Sequence, residues 1–372
     1  MGRTVKADFA VIGAGSFGSW TALELLRRGH SVVLADSHGP ANSRASSGGE
    51  TRIIRMSYGT AAHYSEMSQR SLVSWRSLFE FLGRPELFQP TGALFTAPGG
   101  STHLTASAAV LRKLKSPYER LDSTKLRKRY PQLTLPEDSE GLFEPQAGVL
   151  LARRAVQAVA DHAVNLGANY VRSRFEPETV SSHISVGAYI YACGPWLPKL
   201  FPKAIGKRIR PTRQDVFFFG TNPGDTRFQM PSMPAWVDFD AGIYAVPNIE
   251  NRGFKIAFDA HGPEFDPENG SRVVTPGSVD AIRLQLKRLA PALAQAPLVE
   301  TRVCQYENTC NGDFLIDWLE PGRVMAIGGG SGHGFKHGPA VGKYAADLAE
   351  GSAVPEVFSL TSKSVKHARD VF

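Results

Sequence analysis

The sequence predicts an α/β protein in which a Rossmann-type parallel-sheet domain is interleaved with an α+β domain built on an antiparallel sheet. Three observations predict it. An apolar run, Phe9-Ala10-Val11-Ile12, enters a glycine-rich turn and then an amphipathic helix. A second apolar run, Val324-Met325-Ala326-Ile327, enters a second glycine-dense loop near the end of the chain. Between them, residues 211–299 carry strand patterns without the βαβ rhythm of a parallel sheet. The expected division is 1–88, 141–210 and 300–372 for the first domain, and 89–140 and 211–299 for the second.

The first unit is the most explicit. A short apolar run without breakers is the signature of a buried parallel strand. It leads into Gly13-Ala14-Gly15-Ser16-Phe17-Gly18, a turn that lets a pyrophosphate approach the backbone at a helix N-terminus. The helix spans residues 19–28, with Ala22, Leu23, Leu25 and Leu26 on its apolar face, and Gly29 ends it. The next strand, residues 31–35, delivers Asp36 to a ribose hydroxyl. Strand, turn, helix, strand and terminal acid fall in register, so the unit is expected to bind a dinucleotide. It does not choose between NAD and FAD.

A Ser-, Gly- and Pro-containing loop follows as far as Gly49, and long loops in compact domains are usually functional. It ends in Ser46-Ser47-Gly48-Gly49-Glu50-Thr51-Arg52-Ile53-Ile54-Arg55, which places two arginines beside small residues. A helix is expected over 64–82, a strand over 91–95, and a basic helical stretch over 106–130. Residues 143–150 read as a turn before a helix over 152–166. Strands are expected over 189–196, 216–219, 242–246 and 253–258, and a helix with an apolar stripe over 278–293.

The end of the chain returns to nucleotide-binding character. Strand 324–327 runs into Gly328-Gly329-Gly330-Ser331-Gly332-His333-Gly334-Phe335-Lys336, followed by a helix over 340–350. Backbone donors and the positive end of a helix suit an electron-rich group. A reduced, anionic isoalloxazine needs such a partner at its pyrimidine edge and nicotinamide does not, which favours FAD.

Composition narrows the classes. The 372 residues carry a formal charge of +7, spread along the chain with its densest run at Arg127-Lys128-Arg129. No aromatic-basic motif accompanies it, so anionic small ligands are expected and nucleic acid is not. The three cysteines, Cys193, Cys304 and Cys310, make no disulfide framework and point to a reducing compartment. The short stretch before the first strand leaves no room for a signal peptide, no apolar run reaches spanning length, and Asp370-Val371-Phe372 is not a peroxisomal address. A cytoplasmic location is expected, with no membrane association and no metal.

Several segments together resemble a known family. The N-terminal pattern through Gly29 and Asp36 is similar to FAD enzymes of the D-amino-acid-oxidase superfamily. More narrowly, Gly49-Glu50-Thr51-Arg52-Ile53-Ile54-Arg55 and Ser331-Gly332-His333-Gly334-Phe335-Lys336 look like the signatures of the monomeric sarcosine oxidase and N-methyltryptophan oxidase family. Phe143-Glu144-Pro145, Pro211-Thr212-Arg213-Gln214 and Phe314-Leu315-Ile316-Asp317 match it as well. The resemblance implies a monomer that takes an amino acid and O2. It implies FAD held by Gly13, Gly15, Ser16, Gly18, Asp36, Ser46, Gly330 and Gly334, and bonded covalently through Cys304.

The same resemblance assigns Lys255 to the reduction of oxygen, with Arg52 and Thr51 beside the flavin. It assigns Arg55 and Lys336 to the substrate carboxylate, with Tyr244, Asp259 and Gly332 around the rest of the substrate. Three departures stand out. A family tyrosine is read as Ala245, and two family histidines as Asp259 and Gly48, which predicts a larger, more acidic pocket than sarcosine needs. Residues 174–188 are also shorter than the family's usual meander. The expected reaction is oxidation of a secondary or cyclic α-amino acid to an imine, with O2 reduced to H2O2. The alternatives are a dehydrogenase using another acceptor, or an oxidase of a primary amino acid.

Overall fold

The structure, a computed structural model, describes residues 5–182 and 184–366. Asp370-Val371-Phe372 lie outside them. Among the described residues the strands form sheets of six, eight and three.

The six-stranded sheet runs in the order Leu315–Glu320, Val324–Gly328, Ile184–Tyr191, Val5–Ile12, Val32–Ala35, Asn169–Val171. Every neighbouring pair is parallel except the first, an antiparallel hairpin. Its central strands are buried on both faces, which is why they read as unbroken apolar runs. Ile12, Ala35, Tyr191 and Gly328 end their strands at one carboxyl edge, where open α/β sheets bind ligands. Helix Ser16–Arg27 covers one face and packs against helices Gly338–Ala349 and Ala152–Asn165. A Cβ at Gly342 would lie 2.7 Å from the Trp20 backbone, so that helix contact requires glycine.

The eight-stranded sheet runs Leu298–Thr309, Ile209–Phe219, Phe254–Phe258, Ile243–Val246, Ala235–Asp238, Ala93–Pro98, Ser139–Glu144, Glu119–Leu121. It is antiparallel except between Ala235–Asp238 and Ala93–Pro98. One face packs Phe217, Trp236, Ile243, Ala245 and Phe254 against Ile282 and Leu286 of helix Pro276–Leu289. The other face, with Val216, Phe218, Tyr244 and Cys304, turns towards the site. The small sheet joins Arg52–Ile54, Gly148–Leu150 and Phe88–Gln89.

Several local expectations change. Residues 106–130 form two helices, Thr102–Lys113 and Ser123–Arg129, with strand Glu119–Leu121 between them. The second helix starts where Asp122 accepts a bond from the Lys125 amide at 2.8 Å, a capping signal inside the basic run. Residues 143–150 are mostly strand, Ser139–Glu144 and Gly148–Leu150, and only 145–147 turn. The helix expected over 278–293 stops at Leu289, before Pro291, which begins a short 3-10 turn. Boundaries at 141 and 300 fall inside strands of the eight-stranded sheet, Ser139–Glu144 and Leu298–Thr309.

Candidate active site

At the carboxyl edge of the parallel sheet lies a long cavity enclosing about 1280 Å³ of empty space, its open mouth included. Gly13, Gly15, Ser16, Asp36, Ser46, Arg52, Cys304, Gly330, Gly332 and Gly334 all line it. Gly18 lies behind it and has a packing task. A Cβ there would be 1.8 Å from the Gly13 carbonyl oxygen, so only glycine lets the helix close onto the turn. Gly13 has φ +109°, and a Cβ on it would sit 2.5 Å from the Ala192 carbonyl. Asp36 accepts from the Ala14 amide at 2.8 Å and from the amides of His38 and Gly39, also at 2.8 Å. Its carboxylate therefore fixes the glycine turn as well as facing the cavity.

The second glycine loop closes the opposite wall. A Cβ at Gly334 would lie 2.8 Å from both Gly330 Cα and Phe17 Cζ. Glu307 lies beneath this loop, and sequence reasoning missed it. Burial pushes its carboxyl up to about 7, against the backbone amides of Gly330 and Gly329. Ser46 Oγ and Glu307 Oε2 are buried and find no protein partner among the described residues. A glycine-walled cradle at a helix N-terminus, with unsatisfied buried polar atoms, fits an FAD.

Cys304 and Arg52 meet at the far end of the cavity. Arg52 Nη2 donates to the Ser46 carbonyl at 2.6 Å and to Cys304 Sγ at 3.3 Å. Tyr306 follows Cys304 by two on the same strand and therefore shares its face. Burial, then the neighbouring Tyr244 and Asp259, hold the Tyr306 hydroxyl well above the usual range. Tyr306 was not foreseen, although this two-residue spacing was the signal that could have found it. Arg174, Phe175 and Trp196 also line the cavity.

Thr51 and Lys255 lie just off this cavity. Lys255 Nζ donates to the Thr51 carbonyl at 2.9 Å and contacts Thr51 Oγ1 at 3.3 Å. It stands 5.3 Å from the centre of the Tyr244 ring. Burial, and next the charge of Arg52, hold its ammonium well below the usual lysine range. No salt bridge to Lys255 occurs among the described residues.

Arg55 and Lys336 converge on Tyr58. The Arg55 guanidinium stacks 4.1 Å from its ring centre, and Lys336 Nζ donates to its hydroxyl at 2.8 Å and to the His333 carbonyl at 2.9 Å. The buried Lys336 ammonium is held well below its usual range by burial first and then by Arg55. Arg55 also donates to the Ser57 carbonyl. The turn that carries it is pinned by Glu144, fully buried, whose two oxygens accept the Met56 and Ser57 amides at 2.8 Å. Glu144 is thus a positioning carboxylate, hidden in the sequence inside a segment that reads as a turn.

Two expectations about the pocket are overturned. Ala245 faces the helix-covered core and not the site. Neighbours on a strand point to opposite sides, so Tyr244 is the residue that faces Lys255. Gly48 has no room for a side chain, because a Cβ would lie 1.9 Å from the Asn42 carbonyl oxygen. Neither position enlarges the pocket. Asp259, half-buried just past strand Phe254–Phe258, exerts its charge on Tyr244, Tyr306 and Lys336. Gly332, expected beside the substrate, lines the large cavity at the sheet edge.

Fold and site together define a flavin enzyme. The chain belongs to the FAD dependent oxidoreductase family (DAO), whose model it matches over residues 8–348. It is a sarcosine-oxidase-like FAD-dependent oxidoreductase, 31% identical to monomeric sarcosine oxidase of Bacillus sp. (strain B-0618), with 92% of each chain covered. It is 27% identical to N-methyl-L-tryptophan oxidase of Salmonella heidelberg (strain SL476), covering 93% of this chain and 95% of that one. Its fold is similar to L-proline dehydrogenase from P. horikoshii, with a TM-score of 0.81 at 21% identity over 96% and 98% of the two chains. Glycine oxidase from Geobacillus kaustophilus gives a TM-score of 0.78 at 20% identity over 96% and 99%. No helix among the described residues is long and apolar enough to cross a membrane.

Proposed function

We propose that this protein oxidises the CH–NH bond of a secondary or cyclic α-amino acid to an imine and uses O2 as the acceptor, releasing H2O2. FAD, which Gly13, Gly15, Ser16, Asp36, Gly330 and Gly334 would hold, would supply the two-electron redox chemistry between amine and oxygen. The observation that carries the reading is the buried Lys255 ammonium, held on Thr51 beside Tyr244 and Arg52. A cation fixed in a desolvated place stabilises negative charge developing on oxygen, which a purely electron-transferring enzyme does not need. Cys304 faces the cavity with Arg52 on its sulfur, which supports a covalent link to the flavin.

Arg55 and Lys336 provide two cations for the substrate carboxylate, and Arg's planar fork suits a carboxylate in two-point contact. Tyr58 holds the pair together, and Glu144 holds the Arg55 turn. Asp259, whose negative charge reaches Lys336, favours a substrate that carries hydroxyls or a positive charge away from its carboxylate. A reducing compartment such as the cytoplasm accords with three free thiols, Cys193, Cys304 and Cys310.

The test is peroxide release from a panel of sarcosine, pipecolate and larger polar N-substituted amino acids, with the unmodified enzyme and Asp259→Asn. Polar substituted amino acids should exceed sarcosine in kcat/KM, and Asp259→Asn should erase the difference. Turnover with an artificial electron acceptor and none with O2 would refute the oxidase assignment.

A further inference from the structure

Tyr58 stands between the two cations proposed to hold the substrate carboxylate, and its hydroxyl meets three nitrogens. His337 Nε2 lies at 2.7 Å, Lys336 Nζ at 2.8 Å and His333 Nδ1 at 3.3 Å. A phenol has one proton to give and two lone pairs to receive with. An ammonium only donates, so Lys336 takes one lone pair. His333 Nε2 lies 2.9 Å from the Gly312 carbonyl and donates to it, which leaves Nδ1 of the neutral ring to accept the Tyr58 proton. The second lone pair then receives His337 Nε2–H. This tautomer also suits the far side of the His337 ring, where the fully buried Nδ1 finds no partner among the described residues. Buried N–H groups without a partner are rarer than unanswered acceptors. Burial first, and then the Lys336 charge, hold the His337 imidazolium well below the usual histidine range, so the ring is neutral.

We infer that His337 is a positioning residue of the carboxylate site, acting through Tyr58 on Lys336 and Arg55. The inference rests on the reading of Arg55 and Lys336 as the carboxylate grip and is independent of the electron acceptor. The Tyr58 ring is the surface on which the Arg55 guanidinium stacks at 4.1 Å, and the Tyr58 oxygen is the acceptor that holds Lys336. The bonds from His337 and to His333 fix that hydroxyl from two further directions. A neutral phenol so held keeps two like charges in set positions, which bare repulsion between them would not do. His337 is itself firmly placed. It closes the short turn Phe335–His337 that also carries Lys336, and Pro339 opens the helix Gly338–Ala349 directly after it. The Lys336 carbonyl accepts Trp75 Nε1 at 2.9 Å, and a Cβ at Gly338 would lie 2.6 Å from Trp20 Cδ1. One rigid turn therefore sets both the lysine and the histidine that positions it, and a site supported in this way meets a carboxylate with its cations already aligned.

Stopped-flow reduction of the holoenzyme without air tests it, using whichever amino acid of the panel above has the highest kcat/KM. The dependence on substrate concentration separates the Kd from the limiting rate of flavin reduction. His337→Phe removes the donor at similar size and should raise Kd by roughly tenfold, the scale of one buried hydrogen bond, with the limiting rate little changed. His337→Gln offers an amide N–H in place of Nε2–H and should recover most of the affinity. Tyr58→Phe should cost at least as much as His337→Phe. Adding His337→Phe to Tyr58→Phe should cost nothing more, because the histidine acts only through the hydroxyl. An unchanged Kd in His337→Phe, a loss confined to the limiting rate, or additive losses in the double variant would each overturn the positioning role. Lys336→Met locates such a failure: if it raises Kd, the carboxylate grip stands and only the role of His337 falls, and if it does not, both fall together.

Discussion

Lys255 Nζ lies 2.9 Å from the carbonyl oxygen of Thr51, joining two segments 204 residues apart in the chain. One comes from the centre of the eight-stranded sheet and the other from the loop that follows the nucleotide-binding unit. The bond places an ammonium where these two segments meet, and neither segment alone would hold it.

Lys255→Met should slow reoxidation by O2 by about two decades, the scale for losing a preorganised electrostatic stabiliser. Reduction by the amino acid should change little. The pH dependence follows from the same burial. An ordinary lysine stays charged to about pH 10, but this one is held well below that range by burial and Arg52. Its charge is present at low pH and is lost as pH rises through the depressed value. Reoxidation should therefore decline earlier in the alkaline range than an exposed lysine would allow. Rapid-mixing traces across pH check both statements, and a flat profile would reject them.

Cys304 should hold the flavin covalently. After acid precipitation the yellow colour should stay with the protein pellet, and Cys304→Ala should release it to the supernatant. Arg52 donates to the sulfur at 3.3 Å, so Arg52→Met should also leave a larger fraction of flavin unattached. The readout is flavin absorbance in pellet and supernatant.

Lys336→Met removes one of the two cations proposed to hold the substrate carboxylate. Charge-assisted hydrogen bonds contribute about 1.5–3 kcal/mol, or roughly 10- to 150-fold, and the loss should appear in kcat/KM with amino-acid substrates. Arg55→Lys should be nearly as damaging, because an ammonium lacks the planar fork and the stacking on Tyr58 seen at 4.1 Å. Amine substrates lacking a carboxylate should be affected far less by either change.

Glu307 should make the FAD-free protein less stable as pH rises. Its folded carboxyl is pushed up to about 7, above the unfolded value of 4.5. Below the unfolded value both states are protonated and nothing is lost. Between the two values the unfolded chain ionises first, and above the folded value the penalty is complete, about 3 kcal/mol. Glu307→Gln should raise Tm of the apoprotein at pH 8 and change it little at pH 4. Thermal denaturation at the two pH values decides it, and equal effects at both would remove the assigned cause.

The nucleotide unit was legible because its signals are local. Gly18 is required by the Gly13 carbonyl within one turn, and Asp36 closes that turn through the Ala14, His38 and Gly39 amides. The strand at Val324–Gly328 and the glycine loop after it were legible for the same reason. Residues 143–150 were not. Their strands are defined by pairing with Ala93–Pro98 and Arg52–Ile54, partners far away in sequence, and Gly148 and Pro145 read locally as turn formers.

What the sequence determined by itself is therefore the class of the protein: a glycine turn closing on a helix, a terminal acid, and a second glycine loop are each specified by neighbouring residues. The tertiary structure alone decided which side chains face the site. Register made Tyr244, and not Ala245, the neighbour of Lys255, because one step along a strand reverses the face. Folding also brought Glu144 under Met56 and Ser57, and Glu307 under Gly329 and Gly330. Those contacts depend on strand pairing across the whole chain, and local residue preferences carry no information about it.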